Sequence, residues 1–194
     1  SEKLILVGVT GTNGKTTTAT LLYRLFRTMG FKAGLLSTVV NYINDETYEA
    51  THTTPDPVQL NNLLNKMTEA GCSYCFMEVS SHSLDQKRTA GLKFKGAIFT
   101  NLTHDHLDYH KTFDNYFRAK KIFFDQLDSD AFALINADDR KGKDIVANCK
   151  AECRTYAMKS SADFKVRLLE SHFHGSLLNI DGREIWVNLI GEFN

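Results

Sequence analysis

The stretch Val9-Thr10-Gly11-Thr12-Asn13-Gly14-Lys15-Thr16-Thr17 constrains this chain more than any other. An apolar segment before it, Leu4-Ile5-Leu6-Val7, reads as a strand. After it, Thr18 to Phe26 carries apolar residues at helical spacing, with a stop at Gly30. Strand, glycine-bearing turn, Gly-Lys-Thr and helix is the arrangement of a phosphate-binding loop. In such a loop the backbone N–H groups and the positive end of the helix face one point, where an anion can sit. Lys15 would reach the β- and γ-phosphates, and the Thr16 hydroxyl would hold Mg²⁺. The first glycine of the usual G-x-x-x-x-G-K-[ST] pattern falls on Val9, so Gly11 must supply the tight turn. The expectation is a chain that binds a nucleoside triphosphate.

The remaining pattern is that of an α/β protein. A second apolar stretch runs over 32–40. A polar connection through Asn44-Asp45-Glu46 leads to Thr51-His52-Thr53-Thr54-Pro55-Asp56-Pro57. Pro57 suits the first position of a helix capped by Asp56, carrying Val58, Leu60, Leu63, Leu64 and Met67 and ending at Gly71. Further strands are expected at 73–79, 96–102 and 131–136, with helices at 112–128 and 138–148 between them. Strands and helices alternating at this spacing imply a mostly parallel sheet with helices on both faces. From about 159 the texture turns to short alternating runs, 164–168, 176–180 and 184–189, joined by turns such as Asp181-Gly182. That is an antiparallel meander. The abrupt start and the stop at Asn194 suggest a piece of a longer protein.

The totals narrow the partners. With 23 basic and 23 acidic residues in 194, the formal charge is zero, which argues against a nucleic-acid-binding surface. No apolar run approaches the ~20 residues that cross a bilayer, so no membrane partner is expected, and a cytoplasmic monomer is. Cys72, Cys75, Cys149 and Cys153 have roughly the spacing of a zinc knuckle. A strand at 73–79 would put Cys72 and Cys75 on opposite faces, so reduced, structural cysteines are expected.

Other residues carry chemistry. Glu78 sits at the C-terminal end of a buried strand, the edge where doubly wound sheets bind ligands. Asn101 ends the next strand at the same edge. His104-Asp105-His106-Leu107-Asp108-Tyr109-His110 is the densest polar cluster. It could be a zinc site, His106 and His110 being four apart, or could supply a second Mg²⁺ ligand beside the phosphate loop. Lys120 lies inside an apolar helical stripe of Phe113, Tyr116, Phe117, Phe123, Phe124 and Leu127. Apolar surroundings would depress its pKa and free a nucleophilic amine. The plainer alternatives are snorkelling to the surface or an ion pair.

Together these stretches resemble the Mur ligase family, ATP-dependent amide-forming enzymes of peptidoglycan assembly, and within it the branch that adds the third amino acid. The resemblance is carried by 11–17, Thr53-Thr54-Pro55-Asp56, Glu78-Val79-Ser80-Ser81-His82-Ser83-Leu84 with Gln86 and Arg88, and Phe99 to His110. Ala119-Lys120, Asn136-Ala137-Asp138-Asp139 and Gly191-Glu192-Phe193-Asn194 extend it over nearly the whole chain.

The resemblance implies that Gly11, Thr12, Asn13, Gly14, Lys15, Thr16, Thr17 and Asn101 bind ATP. It implies that Thr53, Thr54, Ser80, Gln86 and Arg88 bind a UDP-N-acetylmuramoyl dipeptide, to which an amino acid is joined through an acyl phosphate. Glu78 and His106 would ligate Mg²⁺, with Thr16 at the nucleotide's own ion, so that two ions are expected. Lys120 would be the family's carbamylated lysine, a CO₂ adduct facing a metal; Lys15, Glu78, His106 and Lys120 would be the catalytic set. Residues 1–194 would form a truncated central ATP-binding domain, parallel to about 158 and antiparallel from about 159, without the UDP-binding N-terminal and the C-terminal domains. The alternatives are a folylpolyglutamate synthase-like ligase, a nucleotide-switched binding module, which would need an N-K-x-D motif that is missing, and a zinc hydrolase, which leaves the phosphate loop unexplained.

Overall fold

A computed structural model of the chain describes residues 4–50 and 52–188. Thr51, Leu189 and the Gly191-to-Asn194 motif therefore lie outside the described residues. Eleven strands form one sheet in the order β11-β10-β9-β8-β7-β6-β1-β5-β2-β3-β4. Strands β2 (Ala33–Leu36), β5 (Tyr74–Glu78), β1 (Ile5–Thr10), β6 (Phe94–Phe99), β7 (Phe132–Asn136) and β8 (Glu152–Ala157) run parallel at its centre.

Alternation within the central strands divides the core between two faces. Leu6, Cys75 and Met77 point to a face covered by α2 (Pro57–Glu69) and α5 (Phe113–Asp125), through Leu60, Leu64, Met67, Phe123 and Phe124. Val7, Val9, Leu35 and Phe76 point to the other face, covered by α1 (Lys15–Thr28) through Ala19 and Tyr23. Helix α2 starts as its sequence requires: the Asp56 carboxylate accepts from the N–H groups of Val58 (2.9 Å) and Gln59 (3.1 Å), with Pro57 in the first turn.

Several elements depart from expectation. The polar connection around Asn44 is the turn of an antiparallel hairpin, β3 (Val40–Ile43) and β4 (Glu46–Glu49), which extends one edge of the sheet. Asn44 makes the turn with φ 51°, a conformation asparagine tolerates well. The helix expected at 138–148 shrinks to a single turn, α6 (Gly142–Ile145). Strand β8 was not foreseen; its burial is mostly exposed, so it lacks the apolar run that marked its neighbours. Two short helices, α3 (Ser81–Asp85) and α4 (Leu107–His110), fill stretches read only as motifs. Val58 is exposed rather than part of the α2 stripe. Cys72 and Cys75 share one buried cluster instead of facing apart, because Cys72 precedes β5. The four cysteines are free.

The meander is present as β9 (Phe164–His172), β10 (Gly175–Ile180) and β11 (Arg183–Val187), and it joins the main sheet through a short parallel pairing of β9 with β8. Asp138 ties that junction. Its carboxylate accepts from the N–H groups of Met158 (2.7 Å), Lys159 (3.0 Å) and Ser160 (2.6 Å), anchoring the β8–β9 turn. Burial pushes its pKa up, but these N–H bonds outweigh that and hold it well below the ordinary 3.8. A carboxylate depressed on folding contributes stability above its unfolded pKa and loses it as pH falls further. Asp138→Ala should therefore lower the melting temperature at pH 7, and the gap to the parent protein should shrink as pH drops below about 4. Thermal unfolding followed between pH 7 and 3 checks both parts.

Candidate active site

The C-terminal ends of β1, β5, β6 and β2 meet at one edge, as expected for a ligand site in such a sheet. There the chain leaves β1 at Thr10 and turns through Gly11 (φ 150°) and Gly14 (φ 82°) into α1. Gly14 caps the helix without any side-chain bond to it, so the first-turn N–H groups of a 14-residue helix point outward uncapped. Gly11 is forced by crowding: a Cβ there would lie 1.9 Å from the Thr100 Oγ1.

The loop is clamped from outside. Asn101 accepts from the Asn13 N–H at its Oδ1 (2.9 Å), donates from Nδ2 to the Asn13 carbonyl (3.2 Å), and its own carbonyl accepts from the Thr12 N–H (2.8 Å). The Thr12 hydroxyl shares a hydrogen bond with the Tyr116 hydroxyl (3.1 Å) and accepts from the Thr103 N–H (2.9 Å). Thr12 and Asn101 thus spend their side chains on the loop's shape. Thr17 lies further along α1, away from the cavity.

Two lysines converge on one carbonyl. Lys15 Nζ donates to the Gly11 oxygen (3.0 Å) and to that of Thr12 (2.8 Å); Lys120 Nζ donates to the same Gly11 oxygen at 2.8 Å. Lys120 is only 1% exposed and lies over the Tyr116 ring, 4.7 Å from its centre, so it neither snorkels nor forms an ion pair. Burial, then the neighbouring Lys15 cation, pushes its pKa well below the ordinary lysine range. Burial also lowers Lys15, against the raising influence of Glu78 and Asp105. Lys121, one position on, pairs with Asp125.

Glu78 is buried at the end of β5, beside Val9 of β1. Its Oε1 accepts from the Thr16 hydroxyl (2.9 Å) and the Thr38 N–H (2.7 Å), and its Oε2 from the Thr38 hydroxyl (3.1 Å). A carboxylate and the loop threonine's hydroxyl in contact are the donor set that Mg²⁺ takes in phosphate-loop proteins, with water and phosphate oxygens completing the shell. The residues fit a Mg–nucleotide. Among the described residues no three of His, Cys, Asp and Glu gather into a metal-binding group, which leaves the zinc readings without support.

The histidine cluster disperses. His104 packs on Phe113, His110 is buried against the Ser81 hydroxyl (2.9 Å), and only His106 reaches the cavity, from a left-handed backbone (φ 52°). Such a backbone in a non-glycine residue costs about 1 kcal/mol or more. Next to Glu78, the Thr54 hydroxyl donates to the Glu78 carbonyl (2.9 Å), and its own carbonyl accepts from Arg88 Nη1 (2.8 Å). Gln86 Oε1 accepts from Arg88 Nε (2.9 Å) and Nη2 (2.6 Å).

A cavity of about 530 Å³ unites these groups. Thr12, Asn13, Gly14, Lys15, Thr16, Thr53, Thr54, Glu78, Ser80, Arg88, His106 and Lys120 line it; Gly11, Thr17, Asn101 and Gln86 do not. Thr38, His52, Ser81 and His82 also line it and were not singled out as site residues. Thr38 could have been found by the rule that located Glu78, since it follows the C-terminal end of β2. Burial keeps the His82 imidazole below the ordinary histidine pKa.

A family model described as Mur ligase middle domain matches residues 9–194. The chain belongs to the Mur ligase family. A UDP-N-acetylmuramoyl-L-alanyl-D-glutamate--2,6-diaminopimelate ligase of Parabacteroides distasonis is 61% identical over 194 residues, which are 100% of this chain and 40% of that protein. A solved structure of a ligase with the same name superimposes with a TM-score of 0.86 at 31% identity, over 98% of this chain and 40% of that one. Escherichia coli FolC in complex with DHPP and ADP, at 17% identity and TM-score 0.64, covers 96% of this chain and 48% of its own and shares the fold. This Mur ligase chain thus spans about 40% of the length of the curated relatives it matches. No helix among the described residues is long and apolar enough to cross a membrane.

Because the loop has no room beside Thr100, Gly11→Ala should destabilise the domain by about 1–3 kcal/mol and remove nucleotide binding. Chemical denaturation and titration with a fluorescent ATP analogue would measure the two effects separately.

Proposed function

We propose that this chain is the central ATP-binding domain of a larger ligase that joins UDP-N-acetylmuramoyl-L-alanyl-D-glutamate to a third amino acid in peptidoglycan synthesis. The observation that carries the reading is that one cavity brings together the phosphate loop, the Glu78–Thr16 pair and the uncancelled guanidinium of Arg88. The names of the relatives favour diaminopimelate over lysine as the third amino acid. The parallel part to about 158 and the antiparallel part from about 159 belong to this one domain. We read the whole enzyme as a cytoplasmic monomer that takes neither nucleic acid nor membrane as a partner.

In this reading the γ-phosphoryl group of ATP passes to the substrate carboxylate, the amine attacks the acyl phosphate, and phosphate leaves. Bound Mg²⁺, two ions in this proposal, would lower the charge on the phosphate oxygens so that two anions can approach. The chain's own part is positional. The loop N–H groups and Lys15 would hold the β- and γ-phosphates; Thr16 and Glu78 would hold one ion. His106 and a carbamate on Lys120 would hold the second. Forming the carbamate requires the neutral amine of Lys120 to attack CO₂ with loss of a proton. Burial favours that neutral amine, and the product reverses the sign of a buried charge beside Lys15. Thr53, Thr54, Ser80 and Arg88 receive the muramoyl substrate, and Gln86 supports Arg88.

The deciding assay is phosphate release by the full-length protein with ATP, Mg²⁺, the UDP-muramoyl dipeptide and each candidate amino acid. Release that depends on the dipeptide and on diaminopimelate is the expected result. Release with a folate and glutamate instead would transfer the chain to the folylpolyglutamate branch, and nucleotide binding without release would make it a binding module.

Lys15→Ala should abolish turnover. Lys120→Ala should lose at least about 100-fold in kcat and recover part of it when short-chain carboxylic acids are added, since they restore the missing carboxylate. Full activity of the unsupplemented Lys120→Ala enzyme would remove the carbamate from the mechanism.

A further inference from the structure

We propose that Tyr109 is a positioning residue of the substrate site, acting on Arg88 through Gln86. The inference rests on the reading that Arg88 receives the anionic muramoyl substrate. Tyr109 does not line the cavity that contains Arg88; it lines a second one, of about 390 Å³, behind it. Its ring packs against His82 of the cavity wall, 4.2 Å between centres, and against His110 at 4.8 Å.

Four residues form a chain of hydrogen bonds whose direction is dictated at one end. Asp85 closes α3, and its carboxylate can only accept. Tyr109 therefore commits its one hydroxyl proton to Asp85 Oδ2, at 2.7 Å. The phenol oxygen is left as an acceptor, and Gln86 Nε2 donates to it at 3.2 Å. With the amide nitrogen so directed, Gln86 Oε1 faces the guanidinium and accepts from Arg88 Nε and Nη2. A reversed amide would set its NH₂ against the arginine donors and break the chain.

The arrangement fixes the Arg88 fork, and among the described residues no carboxylate pairs with it. The fork's partners, the Gln86 amide oxygen and the Thr54 carbonyl, are both neutral. Three of the five N–H donors of a guanidinium are thereby used, and the rest remain for an anion in the cavity. A guanidinium held in one orientation loses less freedom on binding than a mobile one. Tyr109 therefore strengthens substrate binding while touching neither substrate nor nucleotide.

The test is steady-state phosphate release by the full-length protein, with UDP-muramoyl dipeptide and ATP varied separately. Tyr109→Phe keeps the ring on His82 and removes both hydroxyl bonds. It should raise the KM for the dipeptide about fivefold and leave kcat and the KM for ATP within about twofold. Asp85→Asn, whose amide no longer dictates the direction of the chain, should shift the same KM in the same sense by less. Adding Tyr109→Phe to Gln86→Ala should change nothing further, because the two act in series.

An unchanged dipeptide KM in Tyr109→Phe, an equal rise in the KM for ATP, or full additivity with Gln86→Ala would each overturn the assignment. A residue of merely structural importance would give the second of these, with a fall in melting temperature. Arg88→Ala separates the two levels. If it too leaves the dipeptide KM unchanged, the substrate reading fails together with the inference; if it raises that KM while Tyr109→Phe does not, only the role of Tyr109 falls.

Discussion

The Gly11 carbonyl accepting from the Nζ groups of two lysines is the interaction on which the site depends. A lysine buried to 1% exposure with a second lysine as its neighbour keeps a charge only at a cost: removing an ion from water costs several kcal/mol, and a like charge adds to that, so its pKa falls. Only the surrounding packing makes it tenable. Tyr116, Phe123 and Phe124 anchor α5 in the core on the face opposite α1, so Lys120 cannot swing out without lifting the helix that carries it. The same helix supplies the Tyr116 hydroxyl that holds Thr12. Loop, helix and buried lysine are thus one mechanical unit. A phosphate entering beside the two lysines, or conversion of Lys120 to its carbamate, would offset the positive charge gathered there.

That coupling explains which parts of the architecture the sequence could reveal. The central strands are buried on both faces and read as apolar runs, and the loop's Gly-Lys-Thr has one structural context, so β1, β5, β6, β7, α1 and α2 were legible. Strands β4 and β8 carry several exposed, polar residues, and β3 is only four residues long, so periodicity gave no contrast there. The helix expected at 138–148 failed for another reason. Asp139 spends its carboxylate on the N–H groups of Leu102 and Lys141, and Asp138 on the turn after β8, which pins the segment as a bracket between strands.

The site shows the same division. Residue types whose chemistry is unusual where they stand, such as a glutamate at a buried strand end and a lysine within an aromatic stripe, could be picked out, and both line the cavity. What the one-dimensional pattern could not separate is a polar side chain aimed at a ligand from one aimed at the backbone. His104 and His110 face Phe113 and Ser81, while His106, between them in sequence, faces the cavity because its φ of 52° turns it there. No spacing rule encodes that backbone conformation.

A large share of the polar residues in these stretches never contact the cavity, and this bears on how such a site works. Asn101, Gln86 and Asp139 direct their side chains to Asn13, Arg88 and the Leu102 N–H. Each satisfies groups that would otherwise have to be desolvated or reoriented when a highly charged ligand enters. A site that must hold two anions side by side gains most from dipoles already in place, because dipoles that must turn during the reaction return little of their interaction energy. The long polar stretches of this chain are therefore better understood as scaffolding for a few charges than as a list of contacts. Loss of a scaffold residue should then act on binding or on rate according to which charged group it holds in place, whether Lys15, Glu78 or Arg88.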